Sequence, residues 1–149
     1  MLRNPESVRY SIGILAASFT ALQSLGLAPE DVTAVANTHL HADHCGWNTV
    51  RVGEGGLVAT FPNARYSLQK GEYEVAMHPN ERTRATYFAE NFEPLMASGH
   101  LHLVEAEHQV IPGVHFLPTP GHTADHASLV LSSRGETAIY TGDLVQHSV

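Results

Sequence analysis

Apolar residues near the start of the chain recur at the spacing of one helix face. Between Ser11 and Leu22 they repeat every three to four positions, as on the buried side of an amphipathic helix. Gly26 ends this run, and Pro29 lies in the segment where the next element begins. The pattern therefore predicts a first helix. A signal peptide is the alternative because two arginines precede the run, but the periodicity disfavours it.

The centre of the chain alternates between patterns typical of strands and of helices. Short apolar runs predict a buried strand over residues 32–38 and further strands over 57–61 and 64–68. Apolar residues that recur at helical spacing predict helices over 70–77 and 81–96. A serine–glycine pair follows the second helix.

The last third of the chain contains only short segments of strand character. Four strands are predicted there, over residues 101–104, 114–117, 127–131 and 137–140. A helix, strands, two helices and then strands alone are the element order of a layered α/β domain. We therefore predict one domain over residues 1–149, with a helical, cap-like insert at about 70–99.

Composition narrows the class of protein. The 149 residues are 43% apolar and 15% charged, as in globular domains. The net charge is −7 and only 8 lysines and arginines are present, which argues against nucleic-acid binding. No run of 18 apolar residues predicts a membrane span, and the single cysteine, Cys45, excludes an intramolecular disulfide. We expect a cytoplasmic protein that acts on a small molecule.

The densest chemical signal is a group of potential metal ligands that follows the predicted strand over 32–38. Four lie within six positions: His39, His41, Asp43 and His44. In an extended segment, residues two apart point the same way, so His39 and His41 can reach one ion. If the chain then turns into a helix, Asp43 and His44 project towards a second ion. Imidazole and carboxylate both suit Zn²⁺. A solvated polar loop is the alternative, which this density of ligands disfavours.

Three motifs in the chain resemble those of the metallo-β-lactamase superfamily. The string from Thr38 to His44 reads THLHADH and resembles the family's HxHxDH signature. The segments around His122, in TPGHT, and Asp143, in YTGD, resemble its second and third motifs and occur in the same order. The resemblance implies an αβ/βα sandwich with the active site at one edge.

The resemblance also implies a dinuclear metal site. His39, His41 and His122 would hold the first ion, Asp43 and His44 the second, and Asp143 would bridge both. Two Zn²⁺ ions per complete domain are expected, with other divalent metals as alternatives. A hydroxide formed from a water between the ions would then be the nucleophile, and Asp43 would orient it.

Two further segments are similar to a branch that contains lactonases and methyl parathion hydrolase. They are Cys45–Thr49, directly after the first motif, and Phe61–Tyr66. This similarity implies hydrolysis of a lactone, an ester or a phosphotriester. Hydrolysis of β-lactams or thioesters is the alternative within the same fold.

The family pattern also includes features that we do not find. Its members supply a final histidine to the second metal well downstream of the bridging aspartate, and they have strands before the first helix. Here His147 is too close to Asp143 in sequence to be that ligand. We therefore expect an incomplete domain that lacks elements at both ends. An inactive or metal-binding-only fragment is the alternative to an enzyme.

Two residues near the motifs receive simpler interpretations. His126 lies four positions after His122 and is interpreted as a histidine without a direct role in the site; a hydrogen bond that orients a metal ligand is the alternative. Cys45 is interpreted as a small buried residue, because free cysteine packs like an apolar side chain.

Overall fold

A computed structural model describes residues 10–12, 19–53 and 56–145 of the protein. Two four-stranded sheets form the framework in these ranges. The first sheet is parallel and has the order β1-β2-β5-β6. Its strands are β1 (Tyr10–Ile12), β2 (Ala34–Ala36), β5 (Arg65–Gln69) and β6 (Leu101–Val104).

The second sheet is antiparallel and has the order β10-β9-β8-β7. Its strands are β7 (His108–Ile111), β8 (Val114–Pro118), β9 (Ala127–Ser133) and β10 (Glu136–Tyr140). A separate two-stranded hairpin joins β3 (Thr49–Arg51) to β4 (Leu57–Ala59).

The two sheets pack against each other through a shared apolar core. Ala36 and Val104 of the first sheet meet Val114, Phe116 and Leu129 of the second, and all five are buried. Alternation along each strand places these side chains on one face. This packing brings loops from both sheets to a common edge.

Helices cover the opposite face of the first sheet. They are α1 (Phe19–Ser24), α3 (Lys70–Met77) and α4 (Glu93–Ala97), while α2 (Ala42–Cys45) is a single turn after β2. Leu22 and Leu95 pack on Val35 and Tyr66, and Ala76 belongs to a neighbouring cluster with residues of β5 and β6. The described residues thus form an α/β layered architecture, as the element order predicts.

The start of the chain differs from its prediction. Residues 10–12 form β1 beside β2, although the periodicity predicted a helix from Ser11 and no opening strand was expected. Among the described residues the helix spans Phe19–Ser24, and Gly26 follows it with a φ of 69°. Three residues are too few for periodicity to separate strand from helix, so pairing with β2 decides the conformation. Residues 13–18, which the predicted helix included, lie outside the described residues.

The continuous helix predicted over 81–96 is wrong. Asn80 Oδ1 accepts hydrogen bonds from the backbone N–H groups of Arg82 and Thr83 and holds a turn instead. Only Glu93–Ala97 is α-helical in this stretch. Pro94 has no N–H, and its ring would clash with a preceding helical turn, so the helix begins directly before it.

Most of the remaining elements match their predictions. The helix at 70–77 and the strand at 101–104 have the predicted bounds, and the last two strands are slightly longer than predicted. The short strands β3 and β7 were not predicted. No helix among the described residues combines the length and the apolar character needed to cross a membrane.

Candidate metal centre

Two histidines lie shortly after the carboxyl end of β2, and the backbone at the second, His41, is extended. His39 is fully buried, and His41 is the N-cap of α2 with φ −62° and ψ 145°. The chain then turns into α2, which carries Asp43 and His44. The predicted change from extended chain to helix within the motif is therefore present, and it leaves the ring centres of His39 and His44 only 4.2 Å apart.

The second sheet contributes the other two candidate ligands. His122 lies in the loop between β8 and β9. Asp143 lies in a 3₁₀ turn, Gly142–Leu144, directly after β10. Both are partly buried, and both face the histidines that follow β2.

Three imidazoles converge at this edge. The ring centre of His39 lies 4.7 Å from that of His41 and 4.9 Å from that of His122. His41 Nδ1 and His122 Nε2 are 3.0 Å apart. One nitrogen from each of the three rings lies within 4.8 Å of the others, which makes them a candidate metal-binding group.

A second candidate group lies beside the first and has His39 in common with it. It consists of His39, His44 and Asp143. The two oxygens of the Asp143 carboxylate face different histidines: Oδ1 is 3.2 Å from His44 Nε2, and Oδ2 is 3.5 Å from His122 Nε2. Asp143 therefore lies between the two groups.

Asp43 is the predicted site residue that the structure places outside both groups. Its side chain is 65% exposed, and its nearest carboxylate oxygen is 3.6 Å from His44 Nε2. It lies at the rim of the site rather than among the converging nitrogens. His147, which the sequence suggested was too close to Asp143 to act as a ligand, lies outside the described residues.

The environment of His39 keeps its imidazole neutral. Burial, followed by the nearby imidazoles of His44 and His41, lowers the pKa of His39 to about 2. Its Nδ1 is 3.1 Å from Thr38 Oγ1, whereas its buried Nε2 has no hydrogen-bond partner. A neutral imidazole with one nitrogen held by a neighbour and the other free is the form that binds metals.

The donor set fits a divalent metal. Buried polar atoms normally have hydrogen-bond partners, so the unpartnered Nε2 of His39 is an exception that a bound ion would satisfy. The pKa of His41 is also lowered, mainly by burial and to a smaller extent by the charge of His122. Imidazole nitrogens with an adjacent carboxylate are typical zinc ligands. The residues present therefore fit the predicted type of ion.

His126 and Cys45 lie near the site and do not belong to the ligand groups. His126 is fully buried with its ring centre 5.2 Å from that of His39, but its Nδ1 hydrogen bonds with Thr119 Oγ1 and not with a cluster histidine. Cys45 is buried as predicted, its thiol donates to the Leu40 carbonyl, and burial raises the pKa of the thiol to about 12.

Sequence reasoning missed a buried acid beneath the site. Glu72 of α3 is fully buried and hydrogen bonds with residues next to the candidate ligands. A signal was available: Glu72 lies four positions before Ala76, so both belong on one helix face. An acid on the apolar face of a predicted helix is rare unless it is paired.

The chain belongs to the metallo-β-lactamase superfamily, because the model of that family matches residues 8–148. It is 32% identical over 112 residues to an N-acyl homoserine lactonase of a Bacillus species. The aligned region covers 75% of this chain and 38% of that relative. The chain thus spans about two fifths of the length of that relative.

Solved structures support the same assignment. A probable metal-dependent hydrolase from Staphylococcus aureus matches 83% of this chain and 43% of its own, with 31% identity and a TM-score of 0.74. An N-acyl homoserine lactone hydrolase, solved with N-hexanoyl-L-homoserine at its catalytic metal centre, matches 83% of this chain and 42% of its own. The identity is 32% and the TM-score 0.61. The α/β fold of the family is therefore shown for this chain.

Proposed function

We propose that this chain forms the metal-binding part of a hydrolase that opens the ring of an N-acyl homoserine lactone. One observation carries the proposal. His39, His41 and His122 converge within 4.8 Å, and Asp143 lies between this group and His44. This arrangement leaves the buried Nε2 of His39 without a hydrogen-bond partner, and a bound ion would provide one.

The chain's own residues would divide the work of holding two divalent ions, zinc being the proposed metal. His39, His41 and His122 would hold the first ion, His44 would belong to the second, and Asp143, which lies between the two groups, would serve both. Asp43, at the exposed rim, would complete the second set and would orient the incoming water. When bound, such ions polarise a carbonyl oxygen and lower the pKa of water towards neutrality.

The choice of a lactone rests on relatives. A curated relative is an N-acyl homoserine lactonase, and one structural neighbour holds the ring-opened product N-hexanoyl-L-homoserine. In the proposed reaction, water adds to the lactone carbonyl, the ring C–O bond breaks, and the leaving oxygen takes a proton. The product has a carboxylate and a hydroxyl, so each turnover releases one proton at neutral pH.

The test follows proton release from N-hexanoyl homoserine lactone by the purified chain. We expect release with Zn²⁺ present, loss when a chelator removes the metal, and recovery when Zn²⁺ is restored. His122→Ala should lose this activity because it removes a ligand of the first ion. His78→Ala is the matched control, since His78 is exposed and outside both ligand groups.

The substrate panel separates the alternatives. Aryl esters, phosphotriesters, β-lactams and thioesters are assayed beside the lactone, and preference for any of them would replace the lactone in the proposal. Tight metal binding without turnover of any substrate would favour the metal-binding-only interpretation. No metal binding at all would contradict the proposed site.

A further inference from the structure

Glu72 is a fully buried acid on α3 that lies beneath the candidate metal centre. Burying a carboxylate is costly unless its oxygens are hydrogen bonded. This carboxylate is well satisfied, because three donors reach it from three different segments of the chain. The positions of those donors in the chain indicate the role of Glu72.

Each hydrogen bond comes from a group that can donate to a carboxylate. The backbone N–H of Leu40 donates to Oε1 over 2.9 Å, and the hydroxyl of Tyr87 donates to the same oxygen over 3.0 Å. The hydroxyl of Thr123 donates to Oε2 over 2.6 Å. A separation this short is at the lower end of the range for hydrogen bonds between a hydroxyl and an oxygen acceptor.

The three donors lie beside candidate ligands. Leu40 is the residue between His39 and His41, and Thr123 directly follows His122. Tyr87 packs its ring against that of His41, with ring centres 5.0 Å apart. The Glu72 carboxylate therefore connects the segment after β2 of the first sheet with the loop between β8 and β9 of the second sheet.

We propose that Glu72 is a positioning residue that sets the separation of His41 and His122 before an ion binds. The role rests on the proposed function, because it concerns the geometry of that metal centre. Glu72 reaches neither the ion nor the substrate; it acts through Leu40, Thr123 and Tyr87. Its removal would free both loops at once, whereas removal of a single donor would free only one.

The test is a Co²⁺ titration of the whole chain, in which visible absorption reports both affinity and ligand geometry. Glu72→Ala should weaken binding about 10- to 100-fold, the usual effect of losing the partners that orient ligands. Thr123→Val should weaken it less, because the Leu40 and Tyr87 bonds remain. Glu72→Gln should come within a few-fold of the unaltered chain, since its oxygen can accept from Leu40 and its amide can donate to Thr123.

Glu74→Ala is the matched control, because Glu74 lies on the same helix but is exposed. Exchange of the Leu40 amide proton supplies a readout that needs no metal, and it should be faster in Glu72→Ala. If that variant does not fold, Thr123→Val and Glu72→Gln carry the comparison, because both keep the side-chain shape.

The outcomes separate this inference from the proposed function. Weaker Co²⁺ binding by Glu72→Ala and Thr123→Val, with near-normal binding by Glu72→Gln and Glu74→Ala, would support the positioning role. Faster Leu40 exchange with unchanged Co²⁺ affinity and spectrum would overturn it and leave the metal centre intact. Failure of the unaltered chain to bind Co²⁺ would overturn the proposed function, and the positioning role with it.

Discussion

At the scale of single residues, burial selects the chemical form of one candidate ligand, His39. His39 has four other candidate-site side chains around it and no access to water, so its imidazole stays neutral. Thr38 holds one ring nitrogen and leaves the other without a partner. The cost of leaving that nitrogen unsatisfied is recovered when a ligand binds there.

Asp143 provides the first prediction. Its two carboxylate oxygens face His44 and His122, so Asp143→Asn removes the charge and turns one acceptor into a donor aimed at an imidazole. We expect Zn²⁺ affinity to fall by more than about 10-fold. Loss of a residue that only orients a metal ligand costs at least about 10-fold, and loss of a ligand should cost more. Competition with a chromophoric chelator measures this affinity. Asp125→Asn, an exposed loop carboxylate, should bind Zn²⁺ normally, and equal affinities in both variants would contradict the assignment.

At the scale of elements, the candidate ligands lie in short connections at the ends of strands. The rigid sheets fix where each connection begins, and backbone conformation then aims the side chain. Gly142 illustrates the second step, because it has a φ of 52° and packs closely on His126 and Thr38. It lies directly before Asp143, so its conformation helps to orient that carboxylate.

Gly142→Ala is therefore expected to disturb both stability and the metal centre. A Cβ there would lie 2.8 Å from His126 Nε2 and 2.9 Å from Thr38 Oγ1. Gly99→Ala is the control, with a φ of 77° and no atom near the added carbon. The control should lose about 1 kcal/mol of unfolding free energy from backbone strain alone. Gly142→Ala should lose more and should also bind Zn²⁺ more weakly, as urea unfolding and metal titration would measure.

A contact between the two sheets predicts that the free energy of unfolding depends on pH. His102 of β6 lies against His108 of β7, with ring centres 5.6 Å apart. Burial, followed by the charges of Arg65 and His108, lowers the pKa of His102 in the folded protein. The unfolded chain therefore takes up this proton more readily. The contribution of His102 to stability is complete above its unfolded pKa of about 6.5 and is lost as the pH falls below that value.

Unfolding free energies measured at several pH values test this expectation. Between about pH 7.5 and about pH 5, a range that spans the unfolded pKa, the unaltered protein should lose more stability than His102→Gln. His78→Gln removes an exposed histidine and should keep the slope of the unaltered protein. A slope in His102→Gln that equals that of the unaltered protein would show that His102 does not contribute.

At the scale of the whole molecule, the candidate site joins the two sheets. His39, His41 and His44 follow a strand of the first sheet, whereas His122 and Asp143 belong to connections of the second. Apolar contacts hold the sheets together away from the site. An ion at this edge would add a direct link between them.

Metal removal should therefore destabilise the entire fold. A ligand that binds only the folded state at 100 times its dissociation constant contributes about 2.7 kcal/mol. For a chain of this size that corresponds to a rise in Tm of about 5–10 °C. Scanning calorimetry with Zn²⁺ and with a chelator measures the difference. In His122→Ala most of the shift should disappear, and a full shift in that variant would place the ion elsewhere.

The sequence by itself determined six of the eight strands of the two sheets, all except β1 and β7, together with the helix at 70–77 and the family. Short apolar runs, helical spacing of apolar residues and local ligand spacing depend on neighbouring residues, so they are readable without tertiary information. His39 and His41 were paired on this basis, because residues two apart in an extended chain point to the same side. His122 and Asp143 were assigned by resemblance alone, since nothing local relates them to the first motif. Whether the segment at 70–99 forms a cap over a substrate stays a prediction.

Tertiary structure decided the features that depend on contacts between distant segments. It divided the stretch at 81–96 into turns and a short helix, and it paired residues 10–12 with β2. It also placed Asp43 at the exposed rim and buried Glu72 between two loops that are far apart in sequence. Burial and hydrogen bonding across 51 positions, as between Glu72 and Thr123, leave no periodic trace in a sequence. Such contacts arise only when the sheets pack, because packing alone brings the two loops together.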